Sequence, residues 1–104
     1  MLKRFYYGSG AIAIEHQFDR NVQIEEVRLH LSAVGGGGTA TISLVSDYSV
    51  NHNIVFKTQD MTSAADLHWQ PTRPIFISKD DELSVAFANA SSLQWGVEIL
   101  YNGA

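Results

Sequence analysis

Residues 82–101 read ELSVAFANASSLQWGVEILY, and the alternation in that stretch decides the fold. In its first part Leu83, Val85 and Phe87 alternate with Glu82, Ser84, Ala86 and Ala88. In its second part Leu93, Trp95, Val97, Ile99 and Tyr101 alternate with Gln94, Gly96, Glu98 and Leu100. Successive side chains of a strand point to opposite faces, so each apolar set lines one side of a pleated segment. Asn89 to Ser92 carry turn chemistry, because Asn and Ser side chains bond their own backbone. The stretch therefore reads as two strands and a short turn, a C-terminal hairpin. Gly96 in mid-strand signals a bulge or the close approach of a neighbour. At about 3.3 Å per residue the second strand is ~30 Å long, enough to extend past its own sheet and pair elsewhere.

Working back along the chain, strands are expected over Leu2–Tyr7, Ala11–Glu15, Glu26–Ala33, Thr39–Ser46, Ile54–Lys57 and Ile75–Ile77. Val22 and Ile24 sit on the opposite parity to Val27, Leu29 and Leu31. One continuous strand cannot bury both sets, so a bulge or a strand start is expected near Glu25–Glu26. Gly35 to Gly38 lack the lysine and the following helix of a phosphate loop, and read as a mobile hairpin loop. Gln59 to Pro74 is the least regular segment, with one helical turn capped by Thr62 and loop or edge structure imposed by Pro71 and Pro74. About eight short strands with turn signals between them predict an all-β chain. The expected architecture is a two-sheet antiparallel β-sandwich of jelly-roll type, a single domain over residues 1–104. The expected core is Val27, Leu29, Leu31, Ile42, Leu44, Leu83, Val85, Phe87, Trp95, Val97 and Ile99.

At 104 residues, 45% hydrophobic and 17% charged, the chain is long enough to bury one core without staples. It has no cysteine, so disulfides, thiolate zinc sites and thiol catalysis are excluded. The net charge of −4, with seven Lys and Arg spread thinly, gives no basic stripe for nucleic acid. The N-terminus lacks the apolar region of a signal peptide, and no run near ~20 apolar residues suggests a membrane helix.

Catalytic motifs are missing too. His16, His30, His52 and His68 show no HxH or HExxH spacing, and read as separate surface or loop groups. Asp80, Asp81 and Glu82 follow a lysine at a turn and lack EF-hand spacing. No serine lies in a nucleophile elbow. Trp69, next to Gln70 and Pro71 in irregular chain, could serve with Tyr48 as a stacking platform for a sugar ring. The plainer and preferred reading makes Trp69 a plug at the end of the sandwich. Asn89-Ala-Ser91 matches a glycosylation sequon of the kind that also arises by chance. Phe5-Tyr6-Tyr7 places three aromatics in a row, which fits either a face left to meet another subunit or, equally well, own-core packing with a rim tyrosine.

Residues 24–33 (IEEVRLHLSA), the segment 59–78 with QDM and HWQPTRPIFIS, and residues 87–101 (FANASSLQWGVEILY) resemble small jelly-roll virion proteins of tailed bacteriophages. These are head-decoration (cement) proteins or small tail and fibre components. The resemblance implies a non-enzymatic structural protein of the virion, made in the host cytoplasm and free of cofactors. It would bind the major capsid protein or other virion proteins and form a homo-oligomer, with a trimer as the expected order. The interface candidates are Phe5, Tyr6, Tyr7, Tyr48, Trp69 and Arg73; no catalytic, cofactor-binding or metal residues are assigned. Nucleic acid and membrane are not expected as partners. The alternative class is a carbohydrate-binding module built on Trp69 and Tyr48, with Asp66 or His68 bonding sugar hydroxyls.

Overall fold

The computed structural model describes residues 1–104, which run through nine strands and one three-residue 3-10 turn. β1 (Leu2–Gly8), β9 (Trp95–Gly103), β3 (Val22–Leu31) and β6 (Asp66–Trp69) lie side by side in one sheet. β7 (Ile75–Ile77) joins that sheet along the first half of β3. The second sheet holds β2 (Ile12–Gln17), β8 (Glu82–Phe87), β4 (Thr39–Val45) and β5 (Ile54–Asp60), in that order. Every pairing is antiparallel, so the all-β, two-sheet sandwich expected from the sequence is what the chain forms.

Alternation produces the sandwich directly. Ile12 and Ile14, Val27, Leu29 and Leu31, Ala40 and Ile42, Leu83, Val85 and Phe87, and Val97 and Ile99 all turn between the sheets. With Phe18, Val22, Ile24, Met61, Leu67 and Ile77 they form one cluster of 18 buried apolar side chains. Each large member contributes about 1.5–3 kcal/mol when fully buried. Leu44 and Trp95, both expected in the core, are half-buried against it instead. The parity conflict in β3 is resolved by a bulge: Ile24 faces Tyr101 and Glu26 faces Leu100, with Glu25 as the extra residue. That single insertion lets Val22 and Ile24 share the buried face of Val27.

Five local expectations are overturned. The C-terminal pair is no hairpin, because β8 and β9 lie in different sheets and residues 88–94 cross between them. Asn89 and Ser92 take positive φ (54° and 51°) at that corner. The buried Asn89 amide donates to the carbonyls of Gly10 and Leu93, both at 2.9 Å, and accepts from the Leu93 N–H at 3.0 Å. An amide so enclosed is closed to glycosylation in the folded chain. β9 also stays within its own sheet along its whole length, between β1 and β3.

The glycine run likewise crosses between sheets and is tied down. Gly35 N–H donates to Ala64 O at 2.9 Å and Met61 N–H to Gly38 O at 3.0 Å. Thr62 caps no helix: Asp60 Oδ1 accepts from the Thr62 N–H (2.9 Å) and hydroxyl (2.7 Å), making a tight turn into β6. β6 itself was hidden in what the sequence shows as irregular chain, and it brings Trp69 onto a strand.

Candidate functional site

The outward residues of the five-stranded sheet align in rows set by strand register. Tyr7, Gly96, His30 and Asp66 make one row across β1, β9, β3 and β6. Phe5, Glu98, Arg28 and His68 make the next. Gly96 contributes no side chain, and the Phe5 ring leans into the space; a Cβ at Gly96 would lie 3.1 Å from Phe5 Cζ. The close approach expected at Gly96 is therefore present. Around it opens a depression of about 540 Å³, walled by Phe5, Arg28, His30, Asp66, His68 and Glu98.

The charged groups of this face hold one another in place. Arg28 Nε donates to Glu26 Oε1 at 2.8 Å and Nη2 to Oε2 at 3.2 Å, a two-pronged pair, while Nη1 lies 3.9 Å from Glu98. His68 Nε2 meets the same Glu26 carboxylate. His30 Nδ1 bonds Asp66 Oδ1 at 2.6 Å. The Arg28 hydrogen bond, with a smaller contribution from His68, holds the Glu26 carboxyl below its usual range. With neutral imidazoles the face carries Glu26, Glu98 and Asp66 against Arg28 and, in the row of Leu100 and Glu26, Lys3. No three His, Asp or Glu side chains converge as metal ligands.

The sequence-derived interface candidates are dispersed. Phe5 and Tyr7 point outward from β1, 51% and 82% exposed, with ring centroids 6.0 Å apart. Tyr6 points inward and its hydroxyl lies 2.5 Å from His16 Nδ1, so it is engaged within the fold and not free for a partner. Tyr48 is exposed in the β4–β5 loop, edge-on to His52 at 4.9 Å. Trp69 is half-buried at the edge of β6 and stacks on Phe56 of β5 at 5.3 Å and 12°, closing that side of the sandwich. Trp69 and Tyr48 thus pack on different partners and make no common platform. Arg73 is exposed in the loop between β6 and β7 and forms no ion pair.

Sequence reasoning missed Phe76, which is 63% exposed opposite Gln23 on the same outer face. It also missed the assembly of Arg28, His30, Asp66, His68 and Glu98. The alternation in β3 marks Arg28 and His30 as outward, but nothing local says that β6 and β9 flank them. His16 departs from the expected surface role, being buried at 8% exposure. No family model and no curated protein matches this sequence.

Proposed function

We propose that the protein is a structural component of a tailed-bacteriophage virion, a capsid decoration or cement protein that works through protein–protein contact. The observation that carries the reading is β1. It pairs only with β9, so one side of a seven-residue strand has unsatisfied backbone groups. Beside that open edge stand Phe5 and Tyr7, turned away from their own core. Lys3 and Arg4 charge the first half of this edge, as soluble sheets do, and the large aromatics along its second half suit the addition of a partner's strand or sheet. The pairing pattern supports the jelly-roll form of the sandwich. β1 with β9, β2 with β8, β3 with β6 and β7, and β4 with β5 nest as one ribbon folded over on itself.

Sedimentation equilibrium tests the reading. The wild-type chain is expected to self-associate to a closed oligomer, with a trimer as the proposed order. The double variant Phe5→Ser, Tyr7→Ser should remain monomeric and stay folded, losing about 1 kcal/mol of urea stability for the cover that Phe5 gives Gly96, since neither ring lies in the core. A wild-type monomer that also fails to bind virion shells sinks the proposal. The matching genetic expectation is a gene lying among capsid, portal or tail genes.

A second reading, carbohydrate binding, is favoured by the depression around Gly96. There Phe5 offers a ring face beside Glu98, Asp66, His30 and His68, whose polar atoms suit sugar hydroxyls. This moves the platform from Trp69 and Tyr48 to Phe5. Phe5→Ala should abolish any signal on a glycan array, and a blank array with the wild-type chain dismisses this reading.

A further inference from the structure

On the open side of the sandwich between β1 and β2 lies a second cleft, of about 300 Å³, that belongs to neither sheet's outer face. Arg4 serves this cleft. Its pairing with Ile99 puts it on the core-facing parity of β1, yet it forms no ion pair with any carboxylate. Arg20 reaches the cleft from the turn between β2 and β3, with its Nε 3.2 Å from Asp19 Oδ1. His16, Gln17 and Tyr101 also line it. Asp19 is its only carboxylate; Arg20 hydrogen-bonds it and Arg4 acts on it only through space, so two guanidinium groups share one carboxylate.

His16 is held in one orientation. Phe18 packs edge-on against it at 4.6 Å and against Tyr101 at 4.7 Å. The Tyr6 phenol, the more acidic partner, donates to Nδ1 at 2.5 Å, which assigns the imidazole proton to Nε2. Nε2 has no partner within the protein, and no sealed side-chain nitrogen or oxygen is left unsatisfied, so Nε2–H opens towards solvent. Burial first, and Arg4 second, push the His16 pKa below its ordinary value, so the ring is a neutral donor at neutral pH.

We propose that this cleft binds a small oxyanion, a carboxylate or a phosphate, between the guanidinium groups of Arg4 and Arg20, with His16 Nε2–H and the Tyr101 hydroxyl as neutral donors. Planar guanidinium forks match the paired oxygens of both anions. Arg4 sits on the core-facing parity of β1 but stays open to solvent, and an anion beside it would match its charge and favour the protonated form of the neighbouring His16. The ligand has two natural sources, free phosphate or a carboxylate supplied by a docking protein. The cleft opens beside the β1 edge used by the docking reading, so the docking-protein source rests on that reading, whereas binding of free phosphate does not.

The test follows the imidazole resonances of the full chain by NMR near pH 6.5, about the ordinary histidine pKa, during titration with inorganic phosphate and, separately, with acetate. A saturable shift of His16 is expected, with its pKa rising on saturation because the bound anion favours the protonated ring. Arg4→Gln and Arg20→Gln should each weaken binding by about tenfold or more, the loss expected when a charge-assisted contact is removed. Lys57→Gln, an equal loss of charge on β5 at the opposite edge, should bind as wild type does. Saturation by phosphate alone assigns the free-phosphate source, and saturation by acetate as well assigns a carboxylate. A shift that never saturates, or an equal loss in Lys57→Gln, means only general screening and overturns the site. So does an Arg4→Gln variant that folds normally and binds unchanged.

Discussion

Gly35 stands where no side chain fits. A Cβ there would lie 2.6 Å from Met61 O, 2.8 Å from Met61 Cβ and 3.2 Å from Phe87 Cζ, so backbone and core would both have to move. Gly35→Ala should lower stability by about 1–3 kcal/mol, the range for forcing extra atoms into a packed site. At Gly10 an added Cβ meets nothing within 4 Å, and Gly10→Ala should stay within about 0.5 kcal/mol of wild type. Urea midpoints measured side by side decide this, and equal midpoints for the two variants would refute the packing of this corner. The contrast with Gly96 shows what single residues reveal. A lone glycine in an alternating strand announces a neighbour's approach, and Phe5 is that neighbour. Four glycines in a row carry no mark of which one is packed and which, like Gly36 and Gly38 with φ of 79° and 86°, make the turn.

At the scale of elements, the bulge in β3 yields a deletion experiment. Without Glu25 the sequence Val22-Gln23-Ile24-Glu26-Val27 alternates without interruption, and Ile24 opposite Tyr101 and Glu26 opposite Leu100 become consecutive pairs of a regular ladder. Deleting Glu25 should therefore preserve the fold and lose about 1 kcal/mol, chiefly the bond from Asn102 Nδ2 to Glu25 Oε1. Inserting an alanine after Val27 should instead turn Leu29 and Leu31 outward and prevent folding, as judged by circular dichroism and thermal melting. An unfolded deletion variant would show that the bulge does more than reconcile parity. The bulge was legible because parity is a local property. Sheet membership is not: β8 and β9 have the alternation of hairpin partners, yet the long-range pairings of β8 with β2 and β4, and of β9 with β1 and β3, separate them. The outer face of the five-stranded sheet follows the same rule. Arg28, His30 and Glu98 were readable as outward residues of their own strands, while Asp66 and His68 joined them only through the pairing of β6 with β3. Trp69 was misplaced for the same reason, since a four-residue strand beside prolines looks like loop until its partner is known.

For the molecule as a whole, acid is the condition under which the charge arrangement shows in stability. Proton linkage makes stability fall with falling pH wherever the unfolded chain binds more protons than the folded one. His16 meets that condition because burial and then Arg4 lower its folded pKa. Its contribution is complete above the unfolded value, about 6.5, and is lost as pH drops through the folded value. The groups around it are Tyr6 and Arg4 on β1, Phe18, Asp19 and Arg20 in the following turn, and Tyr101 on β9. Asp19, Glu26 and Asp60 are also lowered, by hydrogen bonds first from Arg20, Arg28 and Thr62 respectively, so their contributions fade only in the lower carboxylate range. Arg20 and Arg28 are raised and stay charged throughout. The urea midpoint, followed in buffer free of phosphate and acetate, should therefore fall in two stages, one beginning near pH 6.5 and one below about pH 4.5. His16→Gln should remove the upper stage and leave the lower one, whatever its effect on stability at pH 8. An upper stage that survives in His16→Gln would assign it to another group. Saturating phosphate should move the wild-type upper stage to higher midpoints, because an anion that favours the protonated imidazole offsets the penalty of its burial.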